Sequence, residues 1–174
     1  MDIAKALNRD HKMISVLFKQ LESYCGETKS AGLKELYLKL HETLSCHAKA
    51  EERVVYKRLF TVKKQDVEFM THESAIEHEL VDKLLTELKR SVQPKNPLKW
   101  FSKLKVLREM VEHHVQEEEK YIFKYVKKNF SRLERSEMTE EFVKIKEELK
   151  TSRKLTPAYQ NRRPRNQETG VAAH

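Results

Sequence analysis

The sequence predicts an all-α protein, an up-down-up-down four-helix bundle followed by a short fifth C-terminal helix and a disordered tail. Three observations support this prediction. Apolar residues recur at spacings of three and four in five segments, which is the period of a buried helix face. Only three Gly and four Pro occur in 174 residues, so few tight turns are expected. The length is that of one domain with one hydrophobic core.

The first four segments predict the long helices of the bundle. They cover approximately residues 2–24, 31–60, 64–91 and 97–129. The signals that separate them are Gly26, Ser30 as a cap of the second helix, Thr61, and Pro94 with Pro97. Because these connections are short, neighbouring helices are expected to run antiparallel. Residues 1–130 are therefore predicted to form the bundle.

The fifth segment, residues 136–150, predicts an accessory helix within the region 131–150. Its apolar stripe consists of Met138, Phe142, Ile145 and Leu149. Such a stripe is wide enough to dock against the bundle or against another subunit. Residues 151–174 lose this periodicity and are predicted to form a basic, disordered tail.

Charge and cysteine content favour a soluble, cytoplasmic protein. Half of the net charge of +8 lies in residues 151–174, which hold five Lys or Arg residues against one Glu. Cys25 and Cys46 are too few for a disulfide framework, and no stretch is apolar enough to span a membrane. An Arg-rich tail can contact phosphates, but this one lacks interleaved aromatic residues, so nucleic acid is disfavoured as a partner.

An internal repeat is the most informative feature of the chain. When the sequence is shifted by 67 residues against itself, His11 falls on His78, His47 on His114 and Glu51 on Glu118, without a gap. Neighbouring positions agree as well, such as Asp10 with Glu77 and Glu52 with Glu119. Each half is therefore predicted to be a helical hairpin that carries the same three polar residues.

The spacing of these residues predicts a metal site in the core. Residues four apart lie about 40° from each other on a helix, so His47 and Glu51 share one face, as do His114 and Glu118. Both faces also carry the apolar residues that should form the core. A buried carboxylate without a partner is costly, and a shared cation would compensate for it. Imidazole and carboxylate ligands suit iron, manganese or zinc.

Less specific interpretations of the same residues were weighed. A single core His is usually satisfied by a hydrogen bond, and a run of Glu usually forms a solvated face. The repetition of all three residues in both halves favours the metal site. The other four His are predicted to lie outside it: His41, His72, His113 and His174. Glu52, Glu117 and Glu119 are expected to be solvated or to support the ligands.

These residues resemble the hemerythrin HHE cation-binding family, whose helices supply H, H-x3-E, H and H-x3-E in that order. Asp10-His11, HAKAEE at 47–52, Glu77-His78 and HVQEEE at 114–119 stand where that pattern places them, and the likeness covers about residues 3–130. The resemblance implies two iron ions with an oxo or hydroxo bridge. The implied bridging ligands are Glu51 and Glu118, and the implied terminal ligands are His11, His47, His78 and His114.

The sequence departs from the oxygen-carrying hemerythrins at Ser74, where those proteins have a further His one turn before the third-helix ligand. Without that His, each octahedral iron keeps one open position. We therefore expect a symmetric site with two exchangeable positions, suited to redox chemistry or sensing rather than to oxygen carriage alone. Tyr56, Tyr121 and Tyr125 lie near the motifs, and core packing is favoured over a redox role for them.

Two functions follow from this comparison. The first is a di-iron protein that binds or reacts with oxygen, peroxide or nitric oxide, which as an enzyme would be an oxidoreductase. The second is an iron- or oxygen-responsive binding module without turnover. The sequence leaves open whether the protein is a monomer or a dimer.

Overall fold

The structure is a computed structural model that describes residues 1–25, 31–92 and 96–155. Five long helices, α1 to α5, follow one another in these ranges, which contain no strand. Helix α1 spans Ile3–Glu22, α3 spans Gln65–Arg90 and α5 spans Arg132–Leu155. Helix α2 consists of Ala31–Glu51, a π-helical turn at Glu52–Tyr56, and Lys57–Leu59. Helix α4 consists of Pro97–Glu117, a π-helical turn at Glu118–Ile122, and Phe123–Asn129.

Local sequence signals start and end these helices. The side chain of Asp2 caps α1 by accepting a hydrogen bond from the Ala4 N–H, and Asn96 caps α4 through the Lys99 N–H. Pro97 lies in the first turn of α4, where its missing N–H costs nothing. A 3₁₀ turn at Phe60–Val62 ends α2, and Lys63 then adopts a left-handed conformation. Gly26, Ser30 and Pro94 lie outside the described residues.

The bundle interior contains two apolar clusters, one towards each end. The first joins the C-terminal halves of α1 and α3 to the N-terminal halves of α2 and α4, with Phe18, Tyr37, Leu85 and Trp100 among its members. The second joins the opposite halves of the same helices and includes Leu7, Tyr56, Val67 and Ile122. The positions of the six predicted ligands along the four helices lie between these two clusters.

Helix α5 docks against α1 and α2. Met138 and Phe142 are buried, while Ile145 and Leu149 are half-buried, so the predicted stripe faces the bundle. The helix begins four residues earlier than expected and continues through 151–155, where a disordered tail was predicted. Residues 156–174, the rest of that tail, lie outside the described residues.

The all-α class and the four-helix bundle with an added C-terminal helix are confirmed. Among the described residues, no helix is both long and apolar enough to cross a membrane.

Candidate metal centre

The bundle brings together all six side chains that the sequence predicts as ligands. Helix α1 supplies one of them, α2 two, α3 one and α4 two. Their exposed fractions are 5% for His11, 4% for His47, 0% for Glu51, 7% for His78, 6% for His114 and 1% for Glu118. Two carboxylates and four imidazoles are thus enclosed between two apolar clusters, where unpaired charge is expensive.

The ligand atoms form two groups of three. One group contains His11, His47 and Glu118, and the other contains His78, His114 and Glu51. Within each group, the atoms that could hold a metal ion all lie within 4.8 Å of one another. The Nε2 atoms of His78 and His114 are 3.1 Å apart and face the same point.

Each carboxylate lies between a His of one group and a His of the other. Oε2 of Glu51 is 3.5 Å from Nε2 of His47 and 3.6 Å from Nε2 of His78. Oε2 of Glu118 is 3.2 Å from Nε2 of His11 and 3.8 Å from Nε2 of His114. A carboxylate in such a position can bind two metal ions with its two oxygens. The four distances thus place each carboxylate beside imidazoles of both groups.

Each of the four imidazoles turns Nε2 towards the centre and pairs its Nδ1 with an outer carboxylate. The pairs are His11 with Glu119 at 2.9 Å, His47 with Asp10 at 3.2 Å, His78 with Glu52 at 2.9 Å and His114 with Glu77 at 2.7 Å. A carboxylate on Nδ1 orients the ring, places the proton on Nδ1 and leaves Nε2 free as a metal ligand. This is the hydrogen-bonding pattern of histidines that bind metal.

The outer carboxylates repeat with the same 67-residue offset as the ligands. Asp10 and Glu77 each pair with the His of the neighbouring helix in the same hairpin, whereas Glu52 and Glu119 each reach a His of the other hairpin. Of the two roles considered for Glu52 and Glu119, the structure assigns support of a ligand. The sequence interpretation gave no role to Asp10 and Glu77, although the repeat had already aligned them with each other.

Several buried polar atoms of the site have no hydrogen-bond partner among the described residues. They are Nε2 of His11, Nε2 of His47, and both oxygens of Glu51 and of Glu118. Native proteins rarely leave such atoms unpaired, because each unpaired group carries a desolvation cost. Acceptor atoms that converge without donors fit a cation, so the residues present fit a metal centre.

The electrostatics of the site also follow from burial. Burial and the nearby carboxylate of Glu118 raise the pKa of Glu51 well above its usual range. Burial lowers the pKa of His47 to about 4, so its imidazole is neutral at physiological pH. Burial would also lower the pKa of His11, but the nearby carboxylates of Glu118 and Glu119 outweigh burial and raise it. A neutral imidazole is the form that binds metal.

Aromatic rings stack on one His of each half, and these contacts break the symmetry of the site. Tyr56 stacks on His78 with ring centroids 5.5 Å apart, and its repeat mate Phe123 stacks on His11 at 6.2 Å. Ser74 is buried one turn before His78, whereas its repeat mate Leu7 belongs to the apolar core. Burial raises the pKa of Tyr56 well above its usual value, so the phenol keeps its proton. At these two pairs of repeat-related positions, the hydroxyl groups therefore belong to the half with Tyr56.

A pocket of about 290 Å³ lies between α2 and α3 and reaches the site. Leu44, Val81 and Leu85 contribute apolar walls, and His78 and Glu52 form part of its lining. Since the six ligand side chains are otherwise enclosed, this pocket offers a route for a small molecule.

The other histidines that the structure describes lie outside the six-residue cluster. His72 and His113 have side chains that are 63% and 64% exposed, and His41 packs against Tyr37. His174 lies outside the described residues. Tyr125 is directed away from the site, because its hydroxyl donates a hydrogen bond to Asp66 at the surface.

A helical bundle with imidazole and carboxylate ligands in its interior defines a class of metal-binding proteins. Within this class, residues 2–126 match the Hemerythrin HHE cation binding domain family. The match covers well over half of the chain, so the chain belongs to this family, as the resemblance had indicated. It is a metal-binding module of the HHE type.

One curated protein is similar to this chain over most of the chain's length. The chain is 29% identical over 143 residues to a protein named DNA nickase from Nostoc sp. (strain PCC 7120 / SAG 25.82 / UTEX 2576). That match covers 82% of this chain but 37% of the relative, so the chain spans little more than a third of its length. No solved structure matches the chain significantly.

Proposed function

We propose that this chain holds two iron ions in the bundle core and binds or reacts with oxygen, peroxide or nitric oxide in a redox or oxidative-stress role. One observation carries the proposal: Glu51 and Glu118 each lie between the His ligands of two separate groups. When bound, a di-iron pair would supply redox electrons and open coordination positions for a small oxidant.

Each side chain has a definite part in this proposal. The Nε2 atoms of His11, His47, His78 and His114 are the terminal ligands, and Glu51 and Glu118 are the bridging ligands. The site offers only nitrogen and oxygen donors, which suit iron and, as less favoured alternatives, manganese or zinc. The outer carboxylates keep the proton of each imidazole on Nδ1, which leaves Nε2 available to the metal.

The half with Tyr56 and Ser74 is the better place for the reaction. A small oxidant that is being reduced must accept protons, and a buried phenol with a raised pKa holds a proton beside Glu51 and His78. The pocket between α2 and α3 reaches the same half, because His78 contributes to its lining. In the other half, Phe123 and Leu7 occupy the corresponding positions and can donate no proton. We therefore assign the reaction to the half in which His78 and His114 would hold an ion, beside Tyr56 and Ser74.

The alternative is an iron- or oxygen-sensing module without turnover, and contacts of α5 favour it. Phe142 of α5 packs edge-on against His47 with ring centroids 5.9 Å apart. Lys146 donates a hydrogen bond to Asp10, which in turn holds Nδ1 of His47. A change at the metal could therefore alter how firmly α5 docks.

The printed name of the Nostoc relative describes a protein that is much longer than this chain. The match covers 37% of that protein, so the chain represents a minor part of it. All six proposed ligand side chains have exposed fractions of 7% or less, so the proposed site is better suited to a small molecule than to a nucleic-acid strand.

Metal analysis of the protein as purified tests the proposal. We expect two iron ions per chain, one for each group of ligands, together with ferric charge-transfer absorption in the near ultraviolet. Glu118→Ala removes a bridging ligand and should lose both ions together, whereas His72→Ala removes an exposed His and should keep both. Fewer than one ion in the unmodified protein would contradict the site.

The two functions are separated by turnover. Consumption of peroxide by the iron-loaded protein supports the redox function. Iron-dependent protection of α5 from hydrogen exchange, without consumption of any oxidant, supports the sensing module.

A further inference from the structure

A second group of ligand-type side chains lies on the outer surface between α3 and α4. It consists of Glu77, His113 and Glu117, and the atoms that could hold a metal all lie within 4.8 Å of one another. His113 and Glu117 stand one turn apart on α4, with Nε2 and Oε2 3.7 Å from each other. Their side chains are 64% and 38% exposed, and that of Glu77 is 20% exposed. This outer cluster shares no side chain with the buried six.

The internal repeat indicates that a positive charge belongs at this place. Glu77 is the repeat mate of Asp10, and each holds the Nδ1 atom of a buried His. In the first half, Lys146 of α5 adds its ammonium group to Asp10. Because α5 packs on α1 and α2, it brings no lysine to Glu77, and no Lys or Arg within the described ranges forms an ion pair with Glu77.

The residues that replace the lysine are themselves ligands. The positions equivalent to His113 and Glu117 in the first half are Cys46 and Ala50, which are both buried. The second half thus has no ammonium group beside Glu77. In its place, the imidazole of His113 and the carboxylate of Glu117 lie beside Glu77. Lys146 beside Asp10 in the first half therefore corresponds to His113 and Glu117 beside Glu77 in the second half, a set of side chains that can bind a cation.

We propose that Glu77, His113 and Glu117 bind a divalent transition-metal ion at the surface, in the place that the ammonium group of Lys146 takes in the other half. One nitrogen and two carboxylate oxygens suit Zn²⁺, Mn²⁺ or Fe²⁺, and water completes the coordination. Oε2 of Glu77 pairs with Nδ1 of His114, so Glu77 would connect the surface ion to the buried His114. Since the cluster is open to solvent, the ion exchanges freely.

Titration of the full-length, iron-loaded protein with Zn²⁺ in a calorimeter tests this site. The unmodified protein is expected to bind one Zn²⁺ per chain at this site. His113→Ala loses one of three protein ligands, so it should bind this Zn²⁺ at least about tenfold more weakly or not at all. Glu117→Gln should weaken the same event. His72→Ala is the matched control, because His72 also has a Glu one turn away, Glu68, but is in no group of three ligands.

Several outcomes would overturn the proposal. These are the absence of Zn²⁺ uptake by the unmodified protein, unchanged uptake by His113→Ala, or an equal loss in His72→Ala. The exposed His113 side chain should not affect folding, and equal free energies of unfolding in the presence of a chelator would verify this. The test is independent of the buried centre, because metal analysis counts the ions of that centre as iron. Glu118→Ala should lose this iron but should still bind Zn²⁺ at the outer cluster.

Discussion

Tyr56 is one of two residues, with Ser74, that distinguish the two halves of the candidate site by a hydroxyl group. It stacks on His78 and is buried beside Glu51, while Phe123 takes the same position against His11. Replacing Tyr56 with Phe would therefore give both halves the same aromatic ring and remove one buried hydroxyl group beside Glu51.

The Tyr56→Phe variant should keep its iron and react more slowly with peroxide. Because burial raises the pKa of Tyr56, its hydroxyl group acts as a hydrogen-bond donor rather than as an acid. A hydrogen bond to a charged group is worth about 1.5–3 kcal/mol, so a loss of about 10-fold to 100-fold in rate is expected. Stopped-flow measurement of peroxide consumption provides the rate. Tyr125→Phe is the control, because the Tyr125 hydroxyl bonds to Asp66 at the surface and should not affect the rate. Equal rates for Tyr56→Phe and the unmodified protein would show that Tyr56 contributes only to core packing.

Glu52 is a test of the outer carboxylates. It holds Nδ1 of His78 at 2.9 Å, and its own side chain is 43% exposed. In Glu52→Gln the neutral amide orients the imidazole less firmly and makes it a weaker base, so iron affinity should fall by about 10-fold to 100-fold. Competition with a calibrated chelator measures the affinity. Glu73→Gln changes an exposed carboxylate of α3 and should leave the iron affinity unaltered. A similar loss of affinity in both variants would indicate an effect of net charge alone.

At the level of the helices, amphipathic periodicity predicted the elements well because each helix buries one face. The two π-helical turns, at Glu52–Tyr56 and Glu118–Ile122, were not predicted. The first begins directly after Glu51, the last residue of one H-x3-E motif, and the second begins on Glu118, the last residue of the other. Such π turns commonly occur at functional sites. Neither has a sequence signal of its own, since the wider turn arises from how the core residues pack.

The early start of α5, by contrast, did have a local signal. Ser131 and Glu134 form a reciprocal capping box, in which the Ser131 N–H donates to Glu134 and the Glu134 N–H donates to the Ser131 hydroxyl group. The S-x-x-E pattern is visible in the sequence, so this boundary could have been predicted. The side of the bundle on which α5 docks could not, because its apolar stripe fits any complementary face.

Asp2 connects two helices and allows the docking of α5 to be measured. One of its oxygens caps α1, and the other accepts a hydrogen bond from Arg135 of α5 at 2.7 Å. Asp2→Ala removes both interactions and should lower the free energy of unfolding by about 1 kcal/mol. Asp2→Asn keeps a capping side chain and loses only the ion pair, so it should lose less. Denaturation by urea measures both variants.

The contribution of Asp2 should also depend on pH. Burial raises the pKa of Asp2, but hydrogen bonds from Arg135 and from the Ala4 N–H outweigh this and lower the pKa below the usual value. A lowered pKa in the folded state stabilises the protein above the unfolded value of about 3.9, and this stabilisation is lost as the pH falls further. The difference between the unmodified protein and Asp2→Asn should therefore be present at pH 7 and disappear in acid. A constant difference across this range would rule out the ion pair as its cause.

For the molecule as a whole, the convergence of the six side chains was predictable and their hydrogen-bond partners were not. The 67-residue repeat identified His11, His47, Glu51 and their mates because a repeated spacing on apolar faces is visible in one dimension. The pairing of Glu52 with His78 joins two hairpins, and no periodicity records such a contact. Likewise, the symmetric site expected from the sequence carries hydroxyl groups in only one half.

The metal should contribute much of the stability of the folded molecule, because α1 to α4 each provide at least one ligand. A ligand present at a thousand times its dissociation constant adds about 4 kcal/mol when it binds only the folded state. Removal of iron by a chelator should therefore lower the melting temperature markedly. Without the metal, buried carboxylate oxygens of Glu51 and Glu118 have no partner among the described residues and oppose folding.

This reasoning predicts that one substitution reverses its effect when iron is removed. Glu118→Gln weakens iron binding and should melt below the unmodified protein when iron is present. In the metal-free state it replaces one of two adjacent buried acidic groups, whose proximity raises the pKa of Glu51, by a neutral amide of nearly the same volume, so it should melt at the same or a higher temperature. Differential scanning calorimetry of both proteins, with and without iron, measures the four melting temperatures. If Glu118→Gln melts lower in both states by the same amount, Glu118 stabilises the fold by packing rather than through a metal.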